Sequence, residues 1–258
     1  MLISADKLHG MLGDPGLVII DARSYKDYSQ AHIPGSVNLD LFAFHWADTT
    51  PEGIRGFGRQ AAMILSFAGV SEKNRVVFYD DVSGMLAARG VWMSRYLSHP
   101  DASMLDGGMK KWQAEGLAVE SGTNPSCPAK FSGSPDPGII AGYEHVRDNL
   151  DELVIIDART GAEYDGTTVR AARAGHIPGA INIDWSLNLN PDGTLKPDSE
   201  LQDLYKFRKD AKIVTYCQGA YRAANAYLAL KKAGFENVRV YLGSWGEWGN
   251  LDLPVSRD

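Results

Sequence analysis

The chain has 258 residues, a length that fits one large domain or two medium ones. Hydrophobic residues make up 44% and charged residues 22%, which excludes disorder as the main state of the chain. The net charge of -6, without any Lys/Arg-rich block, gives no support for nucleic acid or an anionic membrane as a partner.

The sequence repeats itself. Four segments recur in the same order, roughly 137 residues apart, which is too long a period for a solenoid unit. The matched pairs are 18–23 with 154–159, 32–35 with 176–179, 75–80 with 212–217, and Gly107 and Trp112 with Gly243 and Trp248. The second copy carries an insertion between Tyr164 and Gly175. The repeat therefore predicts two duplicated domains.

The stretch between the copies differs in composition. Residues 121–138 are rich in Pro, Gly and Ser, which predicts a linker between a domain over 1–120 and a domain over 139–258. Cys127 lies in this linker, and because nothing nearby would lower its pKa we expect an unreactive thiol. Cys217 is the only other cysteine, so a disulfide framework and a multi-cysteine zinc site are excluded.

Short apolar runs alternate with helical patterns in each copy. In the second copy the predicted strands are 153–156, 212–216 and 238–242, and the predicted helices are 197–207 and 222–232. This alternation predicts an α/β fold in which each domain has a mostly parallel sheet with helices on both faces. In such sheets ligands bind beyond the carboxyl ends of the strands.

Cys217 stands at such a strand end, followed by Gln-Gly-Ala-Tyr-Arg and then a helix. If Gly219 lets the loop curl, successive backbone N–H groups point inward and meet the positive end of the helix dipole. Those donors and Arg222 would lower the pKa of the Cys217 thiol, so it would be a thiolate without a histidine base. The alternative is a buried, inert cysteine.

At this point the sequence resembles the rhodanese family, specifically its tandem two-domain sulfurtransferases. The motifs that carry the resemblance are Asp-Ala-Arg at 157–159, Gly-His-Ile-Pro-Gly-Ala at 175–180, the loop 217–222, and Gly-Ser-Trp-Gly-Glu-Trp at 243–248. The resemblance implies an active C-terminal copy and a catalytically silent N-terminal copy. Asp80 occupies the position that matches Cys217, and an aspartate cannot carry a persulfide.

The resemblance also implies a reaction. The Cys217 thiolate attacks the outer sulfur of thiosulfate, expels sulfite and becomes a persulfide, which cyanide or a thiol acceptor then removes. This chemistry requires no cofactor and no metal. Besides the catalytic Cys217, the expected substrate-binding residues are Gln218, Gly219, Ala220, Tyr221, Arg222 and Arg159. The loop amides would stabilise the anion, and the Arg222 guanidinium would bind thiosulfate oxygens.

The length and sequence of the cysteine loop distinguish between related activities. Four residues separate Cys217 from Arg222, whereas the related phosphatases have five, which disfavours phosphatase activity. The Gln after the cysteine is more similar to a bacterial thiosulfate sulfurtransferase group than to mercaptopyruvate enzymes. Glu163 also stands where many mercaptopyruvate-type enzymes place an arginine. We expect a thiosulfate sulfurtransferase, with mercaptopyruvate as the alternative donor and a non-catalytic sulfur-carrier or binding module as a less favoured reading.

Several side chains outside the cysteine loop are expected to support the site rather than react. Repetition in the silent copy indicates this for three of them, since Asp157, Arg159 and His176 recur as Asp21, Arg23 and His32. Trp245 and Trp248 have the spacing of one helix face and are expected to pack beneath the loop. Arg170 and Arg173, near the insertion, are expected to be solvated surface arginines.

Location and assembly are less constrained by the sequence. No apolar run approaches the roughly 20 residues that span a bilayer, and residues 1–7 do not read as a signal peptide. We therefore expect a cytoplasmic protein without a membrane partner. A monomer is expected, with a small anionic sulfur donor and a nucleophilic acceptor as its ligands.

Overall fold

The computed structural model describes residues 1–257, and these form two compact units. Unit 1 comprises Met1–His45, Gly58–Asp136 and Leu189–Leu195. Unit 2 comprises Trp46–Phe57, Pro137–Asn188 and 196–257. Two segments therefore depart from the order of the repeats: 46–57 lies in unit 2, and 189–195 lies in unit 1. No helix among the described residues is long and apolar enough to cross a membrane.

Unit 1 is built on a five-stranded parallel sheet with the strand order β1-β5-β4-β2-β3. Its strands are β1 (Leu2–Ile3), β2 (Leu17–Asp21), β3 (Val37–Asn38), β4 (Arg75–Tyr79) and β5 (Ala102–Leu105). The helices are α1 (Ala5–His9), α2 (Tyr25–Gln30), residues 58–67 of α3 (Pro51–Phe67), α4 (Met85–Tyr96) and α5 (Gly108–Ala114), with a 3₁₀ turn at Leu41–Ala43. Residues 121–136 also belong to this unit, where Phe131 is buried.

Unit 2 repeats the arrangement, with the strand order β6-β10-β9-β7-β8. Its strands are β6 (Ile140–Ala141), β7 (Val154–Asp157), β8 (Ile181–Asn182), β9 (Ile213–Tyr216) and β10 (Val238–Tyr241). Its helices are α6 (Tyr143–Arg147), α7 (Gly161–Tyr164), α8 (Asp198–Leu204), α9 (Tyr221–Lys232) and α10 (Ser244–Trp248), with a 3₁₀ turn at Trp185–Asn188. The prediction of two α/β domains with parallel sheets is confirmed.

One predicted element is shorter than expected. The helical pattern extended to Phe207, but α8 ends at Leu204. Tyr205 leaves helical geometry, buries its ring, and donates its hydroxyl proton to Asn188 Oδ1 at 2.7 Å. Burial of this ring, with its hydroxyl satisfied, outweighs one more turn of helix.

The second sheet places Cys217 centrally. Strand β9 pairs with β10 on one side and β7 on the other, and all four of its residues are buried. Because parallel strands end at the same edge of a sheet, the residue after β9 lies in the middle of that edge. The adjoining core includes Val214, Tyr216, Trp245 and Trp248.

Candidate active site

The backbone at Cys217 is fixed by α10. Cys217 N–H donates to Ser244 Oγ at 3.2 Å, and Cys217 O accepts from Trp245 N–H at 2.8 Å. The next carbonyl, that of Gln218, accepts from Gly246 N–H at 2.8 Å. A Cβ on Gly246 would lie 2.8 Å from this carbonyl oxygen, so the close approach requires glycine. The residue Cys217 is itself buried, with 1% of its surface exposed.

The curl of the cysteine loop, residues 217–222, differs from its prediction. The sequence suggests Gly219 as the residue that lets the loop curl, whereas the left-handed residue is Ala220, with φ 64° and ψ 9°. Gly219 has no positive φ. A left-handed alanine costs roughly 1–2 kcal/mol because its Cβ approaches the following carbonyl. Ala220 is fully buried and immediately precedes α9, so the packing around it maintains this strained conformation.

The loop keeps backbone donors available. Within residues 1–257, the N–H groups of Gln218, Gly219 and Ala220 donate no hydrogen bond. They precede the N-terminus of α9, where the helix dipole favours negative charge. The loop therefore has the donors that an anion or a thiolate requires.

The matching loop of the first repeat has a carboxylate, that of Asp80, in place of the cysteine. Asp80 is 5% exposed, and its carboxylate accepts backbone N–H groups at 2.9–3.3 Å. The donors are Val82, Gly84, Leu86 and Ala87. Burial raises the pKa of Asp80 to about 6, although the amides favour its charged form. This strand-loop-helix geometry thus makes backbone N–H groups converge on one negative group.

Asp80→Cys is therefore not expected to create a second active site. The aspartate loop, residues 80–85, has the acidic Asp81 beside it and lacks an arginine before Arg89, so it would repel thiosulfate and raise the pKa of the new thiol. Removing the carboxylate also removes the group that accepts the four backbone donors. We expect at most one persulfide per chain when the variant is titrated with thiosulfate. Two persulfides, with turnover that survives loss of Cys217, would show this prediction to be wrong.

Arg222 closes the loop and is paired with Glu163. Its Nη1 lies 2.6 Å from Glu163 Oε2 and its Nη2 lies 3.0 Å from Oε1, a bidentate ion pair. Although burial opposes charge on both groups, this pairing lowers the pKa of Glu163 to about 2. Glu163 and the neighbouring Cys217 raise the pKa of Arg222, again against the effect of burial. A permanent cation is thus held beside Cys217.

Glu163 is itself positioned by its helix. Thr160 caps α7, and the Glu163 side chain bonds back to Thr160 N–H in a reciprocal capping box. The Glu163 side chain is 2% exposed, and its Oε1 also lies 3.2 Å from Nε of Arg170, whose side chain is 59% exposed. Arg170 is therefore exposed, as expected, but it shares the Glu163 carboxylate with Arg222.

The insertion also contacts the loop through Gln218. Its Nε2 donates to the carbonyl of Arg170 at 3.0 Å, so this side chain connects the loop to the insertion. Arg173 differs from the expectation of a solvated side chain. Its guanidinium donates to the carbonyls of Trp248, Leu251 and Leu253. Arg173 therefore holds the chain that follows α10.

Arg159 lies beneath the loop in a closed set of contacts. It is 1% exposed, pairs with Asp157 at 2.6 Å, and donates to the Gly175 carbonyl at 2.8 Å. Its guanidinium lies 4.7 Å from the Trp245 ring centroid. Arg23 makes the matching contacts with Asp21 and the Ala31 carbonyl in the copy without a cysteine. These contacts favour a structural role for Arg159 over thiosulfate binding.

The remaining predicted support residues are buried. His176 stacks on Tyr164 with 3.7 Å between ring centroids, and its Nδ1 lies 2.9 Å from the Tyr164 carbonyl. His32 stacks on Tyr28 in the same way in unit 1. Trp245 and Trp248, both on α10, are 1% and 0% exposed, and their side chains pack in the core of unit 2.

Comparison with known proteins agrees with this geometry. The rhodanese-like domain family matches residues 4–115 and 143–251. A thiosulfate sulfurtransferase of Pseudomonas aeruginosa is 31% identical, over 99% of this chain and 96% of its own length. The sulfur carrier protein TtuD of Thermus thermophilus is 32% identical, over 100% of this chain and 96% of its own length. The structure of SseA from Escherichia coli, a 3-mercaptopyruvate enzyme, has a TM-score of 0.82 at 28% identity and covers 95% of this chain and 98% of its own. The chain therefore belongs to the rhodanese family of sulfurtransferases, with two rhodanese-like domains.

Proposed function

We propose that the protein transfers the outer sulfur of thiosulfate to cyanide or a thiol through a persulfide on Cys217. The thiolate attacks the outer sulfur, the S–S bond of thiosulfate breaks, and its electron pair leaves with sulfite. The acceptor then attacks the terminal sulfur of the persulfide, and its bond to Sγ breaks to restore the thiolate. Each half-reaction balances in atoms and electrons, so no external oxidant or reductant is required.

The observation that carries the proposal is the cysteine loop with its available N–H groups. In the aspartate loop the matching geometry places four backbone donors on a carboxylate. In the cysteine loop the nucleophile occupies the matching position, and N–H groups at 218–220 are available for the anionic donor and then for the terminal sulfur. Arg222 adds a fixed positive charge beside Cys217.

Thiosulfate is favoured over mercaptopyruvate by charge. Glu163 provides a buried carboxylate paired with Arg222. Many mercaptopyruvate-type enzymes have an arginine at this position, which could bind the carboxylate of the substrate. The P. aeruginosa relative is a thiosulfate sulfurtransferase, which supports the same donor. The likeness to SseA keeps 3-mercaptopyruvate as the alternative donor. Delivery of the persulfide sulfur to a protein acceptor is the second candidate function, favoured by the similarity to the carrier TtuD.

The mass of the intact protein after thiosulfate treatment tests the proposal. We expect a gain of one sulfur atom on Cys217, lost again on addition of cyanide with formation of thiocyanate. Mercaptopyruvate, supplied at the same concentration, should load the protein more slowly. Faster loading by mercaptopyruvate would reverse the donor assignment, and no gain of mass with either donor would overturn the proposed function.

A further inference from the structure

Helix α10 supports the nucleophile through its first turn. Ser244, Trp245 and Gly246 hold the peptide groups on both sides of Cys217, as described above. The position of the nucleophile therefore depends on the position of α10. A shift of α10 would move the Cys217 sulfur relative to the loop amides.

The same helix carries a buried carboxylate, Glu247, which is 7% exposed. It accepts three hydrogen bonds, from Thr49 N–H at 2.7 Å, Thr49 Oγ1–H at 2.5 Å and Tyr241 O–H at 2.8 Å. Within residues 1–257 no cation pairs with it. Burial raises the pKa of Glu247, and the bonds from Thr49 and Tyr241 oppose that rise. Two of the three donors that stabilise this carboxylate thus come from Thr49.

Thr49 belongs to the first repeat by sequence and to unit 2 by structure. It is 2% exposed, and its Oγ1 accepts Tyr143 N–H at 2.9 Å at the start of α6. Its carbonyl oxygen would lie 2.6 Å from a Cβ on Gly142, so only glycine fits there. One buried threonine is therefore fixed against α6 and donates to α10.

The silent repeat provides a matched contact. Lys111 precedes Trp112 as Glu247 precedes Trp248, so the two occupy the same position in their repeats. Lys111 Nζ lies 3.2 Å from Asp192, in the segment 189–195 of unit 1. This ion pair is partly exposed, unlike the buried bonds between Thr49 and Glu247, and it serves the matching helix behind the aspartate loop.

We infer that Thr49 is a positioning residue for Cys217, acting through Glu247 and α10. The inference rests on the proposed sulfur transfer, because it assigns a role in that reaction. It also gives the silent repeat a function: its segment 46–57 supplies the hydroxyl and amide that hold the helix beneath the nucleophile. Loss of the hydroxyl leaves Glu247 short of a donor in a buried site, and α10 must move or the carboxylate must take up a proton.

The test uses the full chain in a Cys127→Ser background, with single-turnover loading by thiosulfate and the pH dependence of Cys217 alkylation. Thr49→Val, which replaces the hydroxyl with a methyl group of similar size, should slow persulfide formation about tenfold and change KM less. Thr49→Ser should restore the rate to near that of the parent. Lys111→Met, the matched control, should load at the parent rate. The charged neighbours of Cys217, Arg222 and Glu163, are unchanged in all three variants, so an altered alkylation profile would report the loop backbone.

Three outcomes would overturn the inference. These are parent-like loading and alkylation by Thr49→Val, equal slowing by Thr49→Ser, and equal slowing by Lys111→Met, which would indicate general destabilisation. If Thr49→Val does not fold, Glu247→Gln replaces it, because a single amide oxygen cannot accept all three donors; loading at the parent rate would then contradict the inference. If the parent gains no sulfur, the proposed function fails, and alkylation alone still decides the role of Thr49.

Discussion

Cys217→Ser is expected to abolish sulfur transfer from thiosulfate to cyanide. Serine has no thiolate at neutral pH and cannot form a persulfide, so both half-reactions lose their covalent intermediate. The substitution replaces one small buried side chain with another, so the fold should be retained. Thiocyanate formation at saturating thiosulfate and the mass of the treated protein measure the effect.

Cys127→Ser is the matched control for this variant. Cys127 is exposed and lies on the irregular segment between the repeats, so its loss should leave activity nearly unchanged. It should remove most of the reaction with bulky thiol reagents, because Cys217 is buried. Full activity of Cys217→Ser, or loss of activity in Cys127→Ser alone, would contradict the mechanism.

Arg222 should show the second large effect. Arg222→Ala removes the cation beside Cys217 and leaves the buried carboxylate of Glu163 without its bidentate partner. Loss of such a charge-assisted contact costs about 1.5 to 3 kcal/mol, a tenfold to hundredfold fall in kcat/KM for thiosulfate. Because a nearby cation favours the thiolate, its removal should also slow the alkylation of Cys217 at neutral pH. In both assays, Arg222→Lys should give values between those of Arg222→Ala and wild type.

Glu163→Gln separates charge from position. It keeps Arg222 but removes the negative charge that pairs with it, so Cys217 should be alkylated faster at neutral pH than in Arg222→Ala. Both assays are run in the Cys127→Ser background so that alkylation reports Cys217 alone. Unchanged kinetics and an unchanged alkylation profile in Arg222→Ala would remove Arg222 from the site.

Most of the fold could be predicted from the repeat and the alternation of strands and helices. Strand β9 was located to within a residue because its apolar run is buried on both sides. The exchanged segments 46–57 and 189–195 could not be predicted, because their placement depends on tertiary contacts rather than on local propensity. The sequence pattern predicts too long a helix α8 for the same reason. The helix ends where the Tyr205 side chain is buried and its hydroxyl bonds to Asn188, which is a tertiary contact.

The site was predictable where a residue type is chemically specific. A cysteine after a buried strand and an arginine at the start of the next helix carry that kind of signal. The left-handed conformation of Ala220 has no sequence signature, since propensity favours Gly219 for such a turn while packing imposes the conformation on Ala220. Ser244 and Thr49 were missed because an isolated hydroxyl has no sequence signature, and only the structure places each one beside its partner.

The exchange of segments separates the unit of duplication from the unit of folding. A gene fragment that encodes one repeat would encode a chain with the wrong version of the segment that follows its 3₁₀ turn, because each compact unit takes that segment from the other copy. A chain with one repeat would therefore need either a second molecule to exchange with or a different path for this segment. Neither repeat by itself therefore encodes all of the chain that its compact unit contains.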